Sequence, residues 1–261
     1  MNSLKVVGVI PAHMASVRFP GKILHPFFGY PMIEHVRRRA MLSAKLDDVF
    51  VATCDEVIAK IVRDYGGKVL MTGSYHLNGT TRVAEAVQEI DCSHVILLQG
   101  DEPLLLPSYI DRVVDAISEN PESDAWNATG PVESQEDIDR HSFVKCAVSL
   151  DNRILYCFRR GPSHTNFINQ QRYIRKILGI IAYRKSFIKD LVKLPISKIE
   201  SFELIEQMRV IENGFLLNSV AFSESLPSVN QPDEANVVIE YLSNNELQQE
   251  LLATTFGVRD A

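Results

Sequence analysis

The sequence predicts an α/β protein with a mostly parallel central sheet flanked by helices. Short β-branched runs alternate with longer amphipathic stretches, which is the pattern of a parallel sheet with crossover helices. The run His94–Leu98 is apolar after its first position, as expected for a strand buried on both faces. From about Ala125 onwards the pattern becomes rich in strand-like runs. We therefore expect one domain over residues 1–261, with a smaller β-rich lobe over about residues 125–185.

The first half of the chain begins with a predicted strand, Val6–Ile10, that stops at Pro11. Pro31 then opens a helix, because proline suits the first helical turn and apolar residues follow at spacings of three and four. The next predicted elements, in order, are the strand Val49–Thr53, the helix Ile58–Tyr65, the strand Lys68–Met71, the helix Val83–Ile90 and the strand His94–Leu98.

The second half of the chain starts with a predicted β-hairpin. Its two runs, Val144–Leu150 and Ile154–Phe158, are separated by Asp151 and Asn152, two residues that favour turns. The further predicted elements are a strand over Ile177–Tyr183, a helix over Glu200–Asn213 that Gly214 ends, and a terminal helix over Ser243–Leu252 followed by a loose tail from Thr254.

The composition is typical of a soluble enzyme. Hydrophobic residues make up 46% of the chain and charged residues 23%, with a formal net charge of −6. An acidic chain is a poor partner for a nucleic-acid backbone, and the triplet Arg37, Arg38 and Arg39 is interpreted as a partly solvated helix face rather than a nucleic-acid patch. The apolar N-terminal run is too short to span a membrane. The four cysteines form no C-x-x-C pair. We therefore expect no nucleic-acid or membrane partner, and reduced thiols in a cytoplasmic protein.

Two loops are expected to meet at one edge of the sheet. The first loop, Pro11–Lys22, follows the first strand, and the acidic turn, Gln99–Pro103, follows the buried strand that ends at Leu98. Ligands in open α/β sheets bind beyond the carboxyl ends of the strands. The sequence therefore places both segments on the edge of the sheet where a ligand would bind.

The first loop has the composition of a phosphate-binding segment. Ser16, Arg18, Gly21 and Lys22 provide a hydroxyl, backbone N–H groups and two cations, the mixture that a triphosphate requires. The loop matches neither the P-loop nor the G-x-G-x-x-G pattern. On composition alone, an ordinary surface turn remains an alternative.

Three other segments have both a functional and a structural interpretation. Asp101 is a candidate Mg²⁺ ligand or a turn-forming residue. The segment Gly79–Arg82 suits a helix N-terminus that binds oxygen atoms, although simple N-capping by Thr80 or Thr81 explains it equally well. On the predicted helix Glu200–Asn213, the spacing of Glu203, Glu206, Gln207 and Arg209 also fits an ion-pair ladder.

Taken together, the motifs resemble those of the 3-deoxy-manno-octulosonate (Kdo) cytidylyltransferases, also called CMP-Kdo synthetases. The resemblance extends over nearly the whole chain, to about Glu240. The segments that carry it are Ile10-Pro11-Ala12, Ser16-Val17-Arg18-Phe19-Pro20-Gly21-Lys22, Gly79-Thr80-Thr81-Arg82, Gln99-Gly100-Asp101-Glu102-Pro103 and Glu206-Gln207-Met208-Arg209. Several ordered motifs of this kind are specific in combination.

The resemblance implies a nucleotidyltransferase fold, Rossmann-like or GT-A-like, whose β-rich lobe forms a homodimer. It implies a Mg²⁺-dependent enzyme that moves CMP from CTP to the anomeric hydroxyl of an acidic sugar. The implied catalytic residues are Arg18, Lys22 and Asp101. The implied nucleotide-binding residues are Pro11, Ala12, His13, Ser16, Arg18, Lys22, Gly79, Thr80, Arg82 and Gln99. The implied sugar-binding residues are Gln99, Arg160, Tyr183, Glu206 and Gln207, and the implied metal ligands are Asp101 and Asn230.

The chain departs from the family pattern at three places. His13 stands where the first loop usually has Arg, and Asn230 stands where a second metal-ligating carboxylate is expected. The segment around Arg160, which reads Arg-Gly-Pro-Ser, and the strand around Gly179 also differ from the family's sugar-facing sequences. These departures predict an altered sugar pocket and a weaker metal site.

Two other functions therefore remain open beside a cytidylyltransferase for Kdo or a modified relative. The first is a non-catalytic paralogue that binds a nucleotide or a partner, an interpretation motivated by His13 and Asn230. The second is nucleotidyl transfer to another anionic acceptor, such as a phosphonate or a sugar phosphate, because basic residues around Arg160 and Arg175 suit any anion.

Overall fold

The structure is a computed structural model that describes residues 4–16, 18–161 and 163–257. The chain forms two compact units. The first comprises the residues up to Asp111 together with those from Leu226 onwards, and the second is Arg112–Ser225. The expectation of one domain with a smaller lobe stays a prediction.

The strands, in chain order, are β1 (Val6–Ala12), β2 (Pro26–Phe27), β3 (Tyr30–Pro31), β4 (Asp48–Thr53), β5 (Lys68–Met71), β6 (His94–Leu98), β7 (Ala125–Gly130), β8 (Lys145–Val148), β9 (Ile154–Phe158), β10 (Ile174–Arg184) and β11 (Leu217–Ala221). The helices are α1 (Met32–Ala40), α2 (Glu56–Asp64), α3 (Gly79–Ala86), α4 (Pro107–Glu119), α5 (Gln135–Asp139), α6 (Phe167–Gln170), α7 (Lys185–Leu191), α8 (Lys198–Glu203), α9 (Gln207–Glu212), α10 (Glu234–Asn244) and α11 (Glu246–Phe256). Short 3₁₀ helices cover Lys22–Leu24 and Val87–Glu89.

The first unit contains a parallel sheet in the order β6-β1-β4-β5. Val7 pairs with Asp48 and Val6 with His94, so β1 lies in the middle with a partner on each side. Its residues from Val6 to Ile10 are buried, which explains the unbroken apolar run in the sequence. The carboxyl ends of β1 and β6 therefore face the same edge, where the first loop and the acidic turn begin.

The second unit contains a sheet in the order β11-β7-β10-β8-β9, in which β7 and β11 pair in parallel and the other three pairs of this order are antiparallel. The predicted hairpin is present as β8 and β9, and Asn152 adopts φ 63° in the turn between them. The strands β7 and β11 carry mixed polar and apolar residues and were not predicted. Helix α4 was not predicted either.

The predicted single helix over Glu200–Asn213 is wrong. The segment forms two helices, α8 and α9, because Leu204 adopts the left-handed conformation with φ 55° and ends the first of them. The predicted terminal helix over Ser243–Leu252 is present as α11 but begins later, at Glu246, since Asn245 ends α10 and caps α11 by accepting a hydrogen bond from the backbone of Gln248. Helix α11 continues to Phe256, beyond the predicted start of the tail.

Candidate active site

The first loop folds back on itself at the end of β1. The carbonyl oxygen of Met14 accepts hydrogen bonds from the backbone of Ser16 at 2.9 Å and of Gly21 at 3.4 Å. Asp55, which follows β4, accepts a hydrogen bond at 2.9 Å from the backbone of Met14. Gly21 adopts φ 68°, a conformation that favours glycine, immediately before the 3₁₀ turn that begins at Lys22. The loop is therefore held to the neighbouring strand end, while Val17 lies outside the described residues.

Lys22 connects the first loop to the acidic turn. Its Nζ donates to Oδ2 of Asp101 at 2.6 Å and to the carbonyl oxygen of Val229 at 3.0 Å. The backbone N–H of Val229 donates in turn to the carbonyl oxygen of Asp101 at 2.9 Å. Both charged side chains retain some exposure, 16% for Lys22 and 19% for Asp101, so a ligand can reach them. The predicted meeting of the two loops is thus present, and a third segment joins them.

Arg18 and His13, the other basic residues of the first loop, differ in their surroundings. Arg18 is exposed, and its side chain makes no hydrogen bond within the part of the chain that the structure describes. Burial lowers the pKa of His13 below its usual 6.5, and the charges of Arg82 and Lys22 lower the pKa further. Near neutral pH His13 is therefore mostly a neutral side chain, unlike the Arg that the resemblance expects there.

The segment Gly79–Arg82 forms the start of helix α3, as expected. The helix cap, however, is Asn78, whose side chain accepts a hydrogen bond at 3.0 Å from the backbone of Thr81. N-capping by Thr80 or Thr81 is therefore wrong. A Cβ at Gly79 would lie 3.1 Å from Cγ of Pro11, so glycine allows the close approach of α3 to the end of β1.

Hydrogen bonds fix the side chain of Arg82, the fourth residue of α3. The side chain is only 4% exposed, and its Nη1 donates to Oγ1 of Thr72 at 2.6 Å and to the carbonyl oxygen of Gly73 at 3.2 Å. The backbone of Gly73 is held by Glu85, which also accepts from Tyr75 and His76. The pKa of Glu85 is lowered, mainly by the hydrogen bond from Tyr75. The guanidinium is thus fixed in one orientation, as a group that recognises a planar ligand must be.

The proposed metal ligands have an incomplete donor set. Asn230 follows Val229, and its side-chain amide donates to Oγ of Ser228 at 3.2 Å, which leaves the amide oxygen as a neutral ligand. Within residues 4–16, 18–161 and 163–257, no three His, Cys, Asp or Glu side chains form a group that could hold a metal. Mg²⁺ often binds through one or two carboxylates together with substrate phosphates. The single carboxylate of Asp101 fits that mode and does not fit an all-protein metal site.

Gln99 and the predicted sugar-binding residues lie in different units of the chain. Gln99 is exposed directly after β6 in the first unit. In the second unit, Arg160 is exposed after β9, and Glu206 is half-buried at the start of α9. Gln207 is buried and donates from Nε2 to Oδ1 of Asn127 at 3.0 Å. Tyr183 is 1% exposed in β10. It is therefore less accessible to a ligand than the other members of the set.

The predicted ion-pair ladder along one helix is wrong. Arg209 instead makes a bidentate pair with Glu200, with Nε and Nη2 at 2.7 and 2.6 Å from the two carboxylate oxygens. Hydrogen bonding to Glu200 is the main reason that the pKa of Arg209 is raised. The buried pair joins α8 to α9 across the break at Leu204, and so holds Glu206 and Gln207 at a defined position.

A family model described as cytidylyltransferase matches residues 7–223. The chain belongs to the cytidylyltransferase family. It is 32% identical to a 3-deoxy-manno-octulosonate cytidylyltransferase from Geobacter sulfurreducens, over 92% of this chain and 100% of the relative. It is 35% identical to an 8-amino-3,8-dideoxy-manno-octulosonate cytidylyltransferase from Shewanella halifaxensis, over 90% and 97% of the two chains.

A solved structure supports the same assignment. The structure of a CMP:2-keto-3-deoxy-manno-octonic acid synthetase complexed with CTP matches with a TM-score of 0.85 and 31% identity, over 91% of this chain and 98% of that one. The resemblance found in the sequence motifs is thereby confirmed, as is the α/β fold with a mostly parallel sheet. No helix in the described part of this family member is long and apolar enough to cross a membrane.

Proposed function

We propose that the protein transfers CMP from CTP to the anomeric hydroxyl of an acidic 2-keto-3-deoxy sugar, either Kdo or a modified relative. Two kinds of relative support the choice of acceptor, those named for Kdo and those named for its 8-amino derivative. The observation that carries the proposal is the contact of Lys22 with Asp101, which joins a cation-rich loop to a carboxylate at the end of two neighbouring parallel strands.

Lys22 and Arg18 are proposed to neutralise the triphosphate of CTP. The sugar hydroxyl oxygen forms a bond to the α-phosphorus, the bond from that phosphorus to the bridging oxygen breaks, and pyrophosphate leaves with the bonding electrons. The hydroxyl proton passes to solvent. The cations stabilise the charge that develops on the leaving group, and positioning of the two substrates makes the attack effectively unimolecular. This route requires no covalent intermediate on the protein.

We also propose a role for Mg²⁺ at Asp101, with the amide oxygen of Asn230 as a neutral second ligand. The ion supplies charge neutralisation at the phosphate oxygens when it is bound. The chain contributes one carboxylate close to the ammonium of Lys22, an arrangement suited to an ion that is held largely by substrate phosphates. Asn230 offers no charge, so the proposed site depends on the nucleotide more strongly than a site with two carboxylates.

The remaining nucleotide contacts are proposed for backbone groups of Pro11 and Ala12 and for the fixed guanidinium of Arg82, which would read the cytosine ring. In the second unit, Arg160 is proposed to pair with the sugar carboxylate, because its exposed guanidinium suits bidentate recognition of that group. Glu206 and Gln207 are proposed to bind sugar hydroxyls. A homodimer through the β-rich lobe is a further proposal, which light scattering of the purified protein would test.

A second candidate function is a nucleotide-binding paralogue without catalysis. It is favoured by one specific observation, namely that the first loop carries a mostly neutral His13 while the neutral Asn230 stands in the proposed metal site. Both substitutions remove charge from the region that the triphosphate would occupy. Under this alternative the protein binds CTP and releases no pyrophosphate with any acceptor.

The deciding experiment is a pyrophosphate-release screen that crosses four nucleoside triphosphates with a panel of acidic sugars, including Kdo and 8-amino-3,8-dideoxy-manno-octulosonate. We expect release with CTP and at least one octulosonate, at a rate that depends on Mg²⁺. Calorimetry with CTP alone runs in parallel. CTP binding without release across the panel would favour the paralogue, and an absence of both would contradict both functions.

A further inference from the structure

The pairing of β7 with β10 is irregular at one place, where the side chain of Asn127 forms hydrogen bonds with the backbone of β10. Ile177 pairs with Thr129 and Ile181 pairs with Asn127, so β10 advances by four residues while β7 advances by two. The extra residues of β10 form a bulge, whose carbonyl groups lose their regular ladder partners. Asn127 is fully buried here, and its Nδ2 donates to the carbonyl oxygens of Leu178 at 3.0 Å and Ile180 at 3.5 Å, as well as to that of Ala128 at 2.8 Å.

These contacts determine which way the carboxamide of Asn127 is turned. Carbonyl oxygens can only accept hydrogen bonds, so the NH₂ group must face the bulge and Oδ1 must face away from it. Oδ1 accepts the hydrogen bond from Nε2 of Gln207 at 3.0 Å. Because an amide oxygen also only accepts, the carboxamide of Gln207 is turned in one sense too. The backbone of the bulge thus sets the orientation of the Asn127 carboxamide, which in turn sets that of Gln207.

Oε1 of Gln207 is the atom of this hydrogen-bonded pair that a ligand can contact. Gln207 is only 6% exposed and makes no other side-chain hydrogen bond among the described residues. Its Oε1 is not among the fully buried side-chain atoms without a partner in the described residues, so this oxygen retains some contact with solvent. A nearly buried carboxamide whose oxygen is accessible in a fixed orientation is a selective hydrogen-bond acceptor.

We propose that Asn127 is a positioning residue that orients Gln207, so that Oε1 of Gln207 accepts a hydrogen bond from a donor group of the acidic sugar, a hydroxyl or an ammonium. The inference rests on the proposed function, which places Gln207 at the sugar. It adds Asn127, a residue that touches no ligand itself, and it specifies that Gln207 meets the sugar through its acceptor oxygen. A carboxylate of the sugar does not satisfy this acceptor, since it has no proton to donate.

The test uses three variants, Asn127→Leu, Gln207→Leu and the double variant, with steady-state kinetics for CTP and for the octulosonate that the wild type uses. We expect each single variant to raise KM for the sugar by about tenfold, with KM for CTP unchanged. The double variant should be no worse than Gln207→Leu alone, because both changes remove the same oriented contact. Gln171→Leu is the matched control, since Gln171 also donates one carboxamide hydrogen bond to a carbonyl, that of Val132, in the same unit.

Sugar analogues that each lack one hydroxyl identify the donor group. The wild type should lose about tenfold in kcat/KM with one of these analogues, while Gln207→Leu and Asn127→Leu lose nothing further with it. Circular dichroism and CTP calorimetry verify that the variants are folded. Additive losses in the double variant, or equal shifts in KM for CTP and for the sugar, would overturn the proposal by assigning Asn127 a purely structural role.

Failure of the proposed function gives a different pattern from failure of this inference. If the wild type binds CTP but is inactive with every sugar, both the proposed function and the role of Asn127 are contradicted. If the wild type is active and a folded Asn127→Leu variant has an unchanged KM for the sugar, only the role of Asn127 is contradicted. If Asn127→Leu does not fold, Gln207→Leu leaves the bulge intact, and its response to the analogues decides whether Oε1 meets a donor.

Discussion

Nζ of Lys22 lies 2.6 Å from Oδ2 of Asp101 and 3.0 Å from the carbonyl oxygen of Val229. One ammonium therefore joins three segments that are distant in sequence, and both charged groups remain partly accessible. A ligand phosphate that reached this ammonium would compete with the carboxylate for it. Release of Asp101 from Lys22 would then make the carboxylate available to a cation bound with the nucleotide.

The first prediction concerns Lys22. We expect Lys22→Met to lower kcat for pyrophosphate release by about 10²- to 10³-fold, because it removes a preorganised cation from the developing negative charge. Lys22→Arg should restore only part of the activity, since a planar guanidinium cannot reproduce a compact ammonium. Lys60→Met is the control, because the side chain of Lys60 forms an exposed pair with Asp64. Wild-type kcat in Lys22→Met would contradict the proposed role.

The second prediction concerns the charge of the proposed metal site. Asn230→Asp should lower the Mg²⁺ concentration for half-maximal activity by about three- to tenfold, because a second carboxylate attracts a divalent cation more strongly than an amide oxygen. A Mg²⁺ titration of the pyrophosphate-release rate measures the change. Asn236→Asp adds the same charge at an exposed position of α10 and should leave the titration unaltered. Identical titrations for both variants and the wild type would count against Asn230 as a ligand.

The third prediction is a pH dependence that arises from His13. Burial and nearby positive charge lower the pKa of His13 in the free protein below 6.5, whereas a bound triphosphate would raise it. CTP binding should then take up a proton, so KM for CTP should fall as the pH decreases from about 8 to about 6.

His13→Gln provides the comparison for this effect. The nucleotide's own titration is common to both proteins, so the difference between their pH profiles isolates His13. We expect His13→Gln to lack the gain in affinity at low pH, and His13→Arg to bind CTP tightly at both ends of the range. Parallel profiles for the wild type and His13→Gln would show that His13 does not face the phosphates.

The fourth prediction concerns the stability of the second unit. Glu200→Gln should lower the free energy of unfolding by about 3–5 kcal/mol, because it removes the ionised bidentate partner of the buried Arg209 guanidinium. The double variant Glu200→Leu with Arg209→Met should recover most of that loss. Denaturant unfolding followed by fluorescence measures both, and Glu136→Gln, in an exposed pair with Arg140, should cost less than about 1 kcal/mol. A small effect of Glu200→Gln would mean that water reaches the pair.

The parallel half of the fold could be predicted because its signals are local. The strands β1 and β6 are buried on both faces, so their sequences are runs of apolar residues with clear ends. The rule that ligands bind at the carboxyl ends of parallel strands was then sufficient to bring Lys22 and Asp101 together.

The break between α8 and α9 could not be read from periodicity. Leu204 is a good helix former, yet it adopts φ 55°, a conformation usually left to glycine or asparagine. The break depends on a contact that periodicity does not show, since Glu200 can pair with Arg209 only if the chain turns between them. Asn127 was missed for a related reason, because its partners are carbonyl groups of another strand. Its burial also depends on β7, a strand that the sequence pattern did not predict.

Val229 contacts Lys22 and Asp101 through its own main-chain carbonyl oxygen and N–H group. The side chain of Asn230, which follows this position, can therefore be exchanged without removing the groups that anchor the lysine. The side chain of Val229 itself is buried and contributes to the core. A substitution at position 230 is therefore expected to change the affinity of the proposed metal site without moving the segment that anchors Lys22.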